Sequence, residues 1–429
     1  MRRAWRLGGA LLLLAMVARA PLRAEDEVTP GLQAGLALVG IHDDAAGAGT
    51  RSRKTGQPIH DPAWTDGFVK PSVTATLDEG AYGGVSLITA WTLGSGDGYA
   101  PPGALQSTVG GSSHTDVETA YAGWRSGPDA GKTADGVDLS AGRQEFVVGD
   151  GFLLGDGHWD RGKDAGYYSG GRLAWRNSAI VSLALLPVRA DLFWVKGDVN
   201  TGGTAIEGIN TEWLAGDHGT VGAAWMRVLN DNVLESEYPA RAGMQLWDFR
   251  AQGNPWPELF LSGEISGEHN GGSHGVRQRA TAWYAEIAYT LASDEREPTI
   301  GLRRAHFGDG WDPLHYGAVR GWGTWFMGEI VGEYLLFNSN EDVTMLYARL
   351  RPAETLVVGA AGYRFTYAKP AMDSRDFGME ADLYAIWTPM PWLSLTPTLG
   401  VFVPGRGAAE TYGARRNGQV AETLVTVKF

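Results

Sequence analysis

From about residue 32 to the end of the chain, apolar and polar residues alternate in runs of roughly ten, closed by short polar turns. Leu393, Leu395, Pro397, Leu399, Val401 and Val403 alternate with Ser394, Thr396, Thr398 and Gly400. Successive side chains of a strand point to opposite faces, so one face of this segment is wholly apolar. Phe377, Met379, Ala381, Leu383, Ala385 and Trp387 alternate in the same way with Gly378, Glu380, Asp382 and Tyr384. Val69, Val73, Ala75 and Leu77 oppose Lys70, Ser72, Thr74 and Thr76, and Leu259, Leu261, Gly263 and Ile265 oppose Ser262, Glu264 and Ser266. These apolar faces last nine or ten residues. That is the length a tilted strand needs to cross a bilayer, where a soluble strand runs to about five or six.

The pattern predicts strands near 32–42, 68–78, 82–93, 114–125, 136–145, 169–177, 189–198, 205–214, 219–229, 241–251, 257–267, 279–291, 297–306, 341–351, 355–367, 377–388, 392–402 and 420–429. The fold class is therefore all-β, a transmembrane antiparallel β-barrel of about eighteen strands, with sixteen as the alternative. Short turns such as Thr388–Pro391, Arg351–Glu354, Ala215–His218, Gly253–Pro257 and Ser293–Glu297 belong on the periplasmic side. The long stretches 43–67, 94–115, 146–168, 307–340 and 403–419 belong outside. Even strand parity puts Trp325–Phe337 within a single loop that folds inward or across the mouth, and the stretch 178–188 is too long for a comfortable periplasmic turn.

Aromatic placement agrees with a membrane setting. Trp387 and Trp392 bracket a tight turn, as aromatics do at a membrane interface, and Trp91, Trp175, Trp194 and Trp283 stand in comparable strands. The last strand alternates Ala421, Thr423, Val425, Val427 and Phe429 with polar positions. A terminal aromatic on an amphipathic strand resembles the signal read by the barrel-assembly machinery, an expected partner beside outer-membrane lipid. At the other end, Arg2, Arg3 and Arg6 precede an apolar run from Leu7 to Val17 and small residues at Ala18, Ala20 and Ala24. This reads as a Sec-type signal peptide over 1–24, cleaved after Ala24, with the barrel domain over 25–429 in the outer membrane of a Gram-negative cell.

Composition narrows the function classes. A net charge of −13 argues against nucleic acid, and the absence of cysteine excludes disulfide scaffolds and thiolate metal sites. Facing assignments put Arg172 and Arg176 inward, alternating with Leu173 and Trp175, Arg303 inward opposite Ile300 and Leu302, and Arg364 inward opposite Tyr363 and Phe365. Arg349 and Arg351 share what reads as an inner face, against inner carboxylates at Glu118, Glu264, Glu286, Glu380, Asp382 and Glu422. Inward arginines select anions by bidentate contact with carboxylate or phosphate; alternatively they pair with these carboxylates in a salt-bridge network.

The segment Gly142-Arg143-Gln144-Glu145 leads through Gly149-Asp150-Gly151-Phe152-Leu153-Leu154-Gly155-Asp156 and Trp159 to Tyr168-Ser169-Gly170-Gly171-Arg172-Leu173. Gly328-Glu329-Ile330 is followed by Asn338-Ser339-Asn340, opening the strand that ends at Arg351-Pro352. Together these resemble the alginate-export family of outer-membrane porins. The resemblance implies an eighteen-stranded barrel passing an anionic polysaccharide, or another sugar-derived anionic solute, through an arginine-lined constriction, and adds Arg143 to the lumen candidates. Strict alternation puts Arg143 on the face of Leu139 and Ala141, so it needs a bulge to reach the lumen. No cofactor is expected beyond loop Ca²⁺ at Asp150, Asp156, Asp309 or Asp312, where Gly-Asp more often marks a turn. His114, His158, His269, His274, His306 and His315 lack zinc-ligand spacing. Asp373-Ser374 and Ser112-Ser113-His114 are the thin basis for an alternative outer-membrane hydrolase. A loop-plugged receptor is the other alternative. The leading expectation is a passive channel without turnover chemistry.

Overall fold

The computed structural model describes residues 27–42, 50–77, 80–97, 105–158, 164–198, 203–230, 241–271, 278–291, 293–317, 328–333, 335–370, 372–413 and 416–429. The expected signal segment lies outside the described residues. The strands are β1 (Glu27–His42), β2 (Ala63–Thr76), β3 (Ala81–Gly94), β4 (Ser112–Arg125), β5 (Gly136–Gln144), β6 (Trp175–Leu185), β7 (Val188–Lys196), β8 (Ala205–Leu214) and β9 (Thr220–Asn230). They continue as β10 (Gln245–Trp256), β11 (Leu259–Asn270), β12 (Gln278–Thr290), β13 (Thr299–Phe307), β14 (Glu341–Ala353), β15 (Leu356–Tyr367), β16 (Asp376–Met390), β17 (Leu393–Pro404) and β18 (Gly418–Lys428). Each pairs antiparallel with its neighbour in sequence, and β1 pairs with β18 from Gln33↔Lys428 to His42↔Gln419, closing an eighteen-stranded barrel.

The wall is built by alternation. Leu383 and Leu399 are 59% and 58% exposed on the outside, while Asp382 and Thr398 beside them are buried. Ile265, Ile287, Ile300, Leu302 and Leu346 continue the outer apolar belt. Trp124, Trp213, Trp256, Tyr289 and Trp387 ring the short-turn rim, and Trp392 stacks on Phe429 with centroids 5.1 Å apart. Trp225 and Trp247 lie outside near the long-loop rim. A closed barrel with an apolar belt between two aromatic girdles resides in an outer membrane, with short turns toward the periplasm.

Three predicted placements are corrected. The strand expected over 169–177 is β6, which begins only at Trp175, so Arg172 precedes it. The awkward stretch 178–188 is then mostly strand, and the periplasmic turn is just Leu186-Pro187. Trp175 belongs to no girdle: it is fully buried inside, its indole N–H donating to the Phe146 carbonyl at 2.8 Å. Phe377 breaks the alternation expected of β16. Gly378, at φ +150°, shifts the register against β15 and turns Phe377 into the barrel against Phe402 and Tyr367.

Candidate solute pathway

Loops fill much of the barrel's outer half. The segment between β5 and β6 carries Phe152, Leu153 and Leu154 inward, and the segment between β13 and β14 carries Trp311, Leu314, Ile330 and Val331, all at most 2% exposed. They form one apolar cluster with wall residues such as Phe307, Phe365, Phe377 and Phe402. Among the described residues, 328–333 and 335–337 form no strand; a π-helical turn spans Gly328–Gly332. The described part of the stretch Trp325–Phe337 is therefore loop, as strand parity requires, while Trp325–Met327 and Tyr334 lie outside the described residues.

The inner carboxylates explain how these loops are held. Glu380 accepts the amides of Ile330 and Val331 at 2.8 and 2.9 Å, and Asp382 accepts that of Glu329 at 3.3 Å. Glu118 accepts the amides of Leu173 and Ala174, both at 2.9 Å, while Asp66 takes Tyr168 at 3.1 Å and Glu268 takes Asp312 at 2.8 Å. A loop buried in a barrel carries backbone donors that need acceptors, and wall carboxylates supply charge-assisted ones.

Arg143 and Arg172, separate in sequence, meet in one network. Gly142, at φ +132°, supplies the bulge that strict alternation requires, with a register shift before Gln144. Arg143 then turns inward to Asp198 at 3.1 Å and Glu118 at 3.5 Å. Asp198 lies 3.8 Å from His158, which lies 3.7 Å from Asp164, and Asp164 pairs with Arg172 at 3.2 Å. Arg303 is buried against Glu286 at 3.0 Å, and Glu286 also accepts the Tyr347 hydroxyl at 2.6 Å. Arg176 is half-buried at the start of β6, and Arg349 points into the open periplasmic half; neither has an ion pair among the described residues. Arg351 sits at the periplasmic rim, 3.2 Å from Glu297. Arg364 is the error. Tyr363 and Phe365 are the buried inner residues of β15, so Arg364 faces outward and pairs with Asp376 at 3.0 Å.

Two basic residues not among the sequence candidates line the open space. Arg250 reaches Glu212 at 2.7 Å and Asp248 at 2.9 Å, and also bonds the Asn210 carboxamide oxygen. Arg189 reaches Asp191 at 3.0 Å and Glu212 at 3.7 Å. Outward Trp247 and Phe249 flank Asp248, and the same alternation puts Arg250 inside. Leu192 outward does the same for Arg189. Toward the periplasm lies a cavity of about 570 Å³ lined by Lys70, Lys132, Arg189, Asp138, Glu145 and the hydroxyls of Tyr82, Tyr121 and Ser72 among others. A second cavity of about 240 Å³, between Arg189, Arg250, Glu212 and Glu264, adjoins it through Val147 and Arg189.

The calcium candidates do not converge. Asp309 pairs with Lys369 at 2.7 Å, Asp312 with Arg241 at 2.6 Å, and Asp156 accepts the His158 amide at 2.9 Å. Among the described residues no group of three or more His, Asp or Glu side chains is disposed to hold a metal. The hydrolase fragments also stay apart: His114 lies on β4 and Ser374 beside β16, strands that are not neighbours in the barrel.

The sequence matches no protein-family model and no curated protein. Solved structures are similar in fold. Pseudomonas aeruginosa OccK5 (OpdH) aligns over 93% of this chain and 98% of its own, at 8% identity and a TM-score of 0.59. OccK9 (OpdG) of the same organism gives 94% and 99%, 10% identity and 0.59. OpdK with vanillate gives 93% and 98%, 10% identity and 0.56. These likenesses carry the barrel fold over nearly the whole chain.

Proposed function

We propose that this chain is a passive outer-membrane channel for small anionic solutes bearing hydroxyl groups, rather than an exporter of a long polysaccharide. The observation that carries the reading is the cavity of about 570 Å³, where Lys70, Lys132 and Arg189 face Asp138 and Glu145 among tyrosine and serine hydroxyls. Its volume falls in the range of roughly 300–1,000 Å³ typical of small-molecule sites. In this lining Lys70, Lys132 and Arg189 outnumber Asp138 and Glu145, which favours an anion there even though Arg189 also pairs with Asp191 and Glu212, and the hydroxyls replace part of its hydration. The apolar plug over the outer half argues against threading a polymer, which needs a continuous polar passage. The porin layout fits the barrel without support for the alginate-export family itself, and a small sugar acid or aromatic acid is the better-fitting cargo. Vanillate, an aromatic carboxylate, in the OpdK structure is an instance of that class. Lumen arginines act mostly through their pairs: Arg143, Arg172 and Arg303 hold the plug and wall, while Arg189, which lines both cavities, meets the solute.

The test is single-channel recording of the refolded protein in a planar bilayer under a salt gradient. Anion selectivity, with current blocked by millimolar vanillate or a uronic acid and relieved in Lys70→Ala/Arg189→Ala, is expected. Cation selectivity would overturn the reading, and a barrel that carries no current would favour the plugged receptor.

A further inference from the structure

The misplaced Arg364 belongs to a pattern. Among the described strand residues, outward-facing lysine and arginine occur only in the half of the wall nearest the long loops: Lys196, Arg227, Arg279, Arg304 and Arg364. Lipid-facing arginine costs roughly 2–4 kcal/mol at the bilayer midplane and ~0–1 near either interface. Depth alone would therefore allow such residues on both rims. Their confinement to one rim requires a second reason.

The arginines sit at headgroup level. Trp225 stands two residues below Arg227 on β9, and Trp283 four residues below Arg279 on β12, so an indole girdle lies beneath the guanidinium row. Outward carboxylates are near: Glu207 is the cross-strand neighbour of Arg227, Asp342 lies 3.7 Å from Arg304, and Asp376 pairs with Arg364. Arg227 and Arg279 are exposed without an ion pair among the described residues, and Arg304 keeps 53% of its side chain exposed. Below Arg227, Leu192, Ile209 and Trp225 border a mostly apolar groove of about 440 Å³ in the outer wall, with Glu207 the one charged side chain in its lining, the shape an acyl chain fills.

We propose that these outward guanidinium groups bind the phosphate groups of phosphorylated lipids in the leaflet facing outside the cell, the lipid at Arg227 laying an acyl chain along the Leu192–Ile209–Trp225 groove. The inference rests on the membrane orientation given above but not on the channel reading. Planar guanidinium groups bind phosphate bidentately and lose less hydration than ammonium groups in doing so, which fits a row of arginines with a single lysine.

The refolded full chain in uncharged detergent is titrated with diphosphorylated lipid A and with its dephosphorylated form, counting bound lipid by native mass spectrometry. The wild type is expected to prefer the phosphorylated form by about tenfold or more at low salt, with the preference shrinking as salt rises. Arg227→Gln/Arg279→Gln/Arg304→Gln is expected to bring the two lipids within about twofold while keeping the heat-modifiable gel mobility of a folded barrel. Should the triple variant fail to fold, Arg227→Gln/Arg279→Gln removes only the two groups without an ion pair among the described residues and is expected to lose most of the preference. Equal affinity of the wild type for both lipids, or a preference kept by a folded variant, would overturn the proposal. Inorganic phosphate that competes as well as the lipid would also overturn it, because the groove would then contribute nothing. Conductance in phosphate-free lipid is recorded alongside, so a failed channel reading cannot be confused with a failed lipid site.

Discussion

A buried arginine in this barrel is worth most as one half of a pair. Arg303 is only 5% exposed in its side chain, and its partner Glu286 2%, with Tyr347 donating to the same carboxylate. Removing the cation leaves a carboxylate facing the barrel interior without its counter-charge, which costs about 3–5 kcal/mol, whereas replacing both charges costs less. Arg303→Ala is therefore expected to lower the unfolding free energy of the barrel in urea by that amount, and Arg303→Met/Glu286→Met to restore most of it. A single variant as stable as the wild type would show that water enters this part of the lumen. Arg364→Leu, on the outer face and half-exposed, is the contrasting control, expected within about 1 kcal/mol of the parent. The inner or outer status of an arginine thus decides what it does, and one step of register decides that status. Sequence alternation alone assigned Arg303 and Arg364 the same role because each opposes two hydrophobic residues of its strand, Ile300 and Leu302 in one case and Tyr363 and Phe365 in the other. It could not tell lipid-facing leucine and isoleucine around Arg303 from plug-facing tyrosine and phenylalanine around Arg364.

The same ambiguity sets how much of each element was readable. Strands with water or polar groups inside, such as β17 with Ser394, Thr396 and Thr398 opposite its leucines, announce both faces, and their positions and number were legible. Where the plug packs against the wall, both faces are apolar and the period-two signal fades, as at Val343 and Met345 on β14. The arginine-bearing run before β6 looked like a strand because Leu173 and Trp175 alternate with Arg172 and Arg176, yet its amides bond Glu118 instead of a neighbouring strand. Long-range partners of that kind leave no local trace. The six inner carboxylates were found correctly as inward, but three of them serve as loop anchors. Glu380 is the test, since it receives two amides of the 328–332 turn and is itself 3% exposed. Glu380→Gln replaces one acceptor by a donor and leaves an amide unpaired, a loss of about 1–3 kcal/mol for the inward loop. Larger single-channel conductance and more frequent gating are expected, with strand content unchanged by circular dichroism. Conductance identical to the wild type would mean the apolar contacts alone hold the turn.

At the scale of the whole molecule, a barrel of sixteen to eighteen strands encloses more space than its own wall side chains fill, so what occupies the lumen determines what it admits. Here two loops from opposite sides of the wall meet in the outer half, and their meeting point is His315. Its ring lies 4.6 Å from that of Trp175, its Nδ1 is 2.7 Å from the Asp156 carbonyl, and it is fully buried. Burial, aided by the positive charge of Arg241, pushes its pKa down to about 3 from the usual 6.5. The plug therefore holds a neutral imidazole. Because the folded value lies below the unfolded one, this contact's contribution is complete above about pH 6.5 and is lost progressively as pH falls toward 3. By pH 4 the linkage amounts to ~3 kcal/mol against the packed loop, enough to favour its release if the loops are held mainly by local contacts. Mean conductance recorded at pH 7 and again at pH 4 is expected to rise on acidification in the wild type. In His315→Gln, which keeps a polar side chain but cannot take the proton, the rise should be largely absent. A wild type indifferent to pH across this range would mean that the plug is secured by its aromatic cluster alone. A rise of equal size in the variant would move the titrating group elsewhere in the loops.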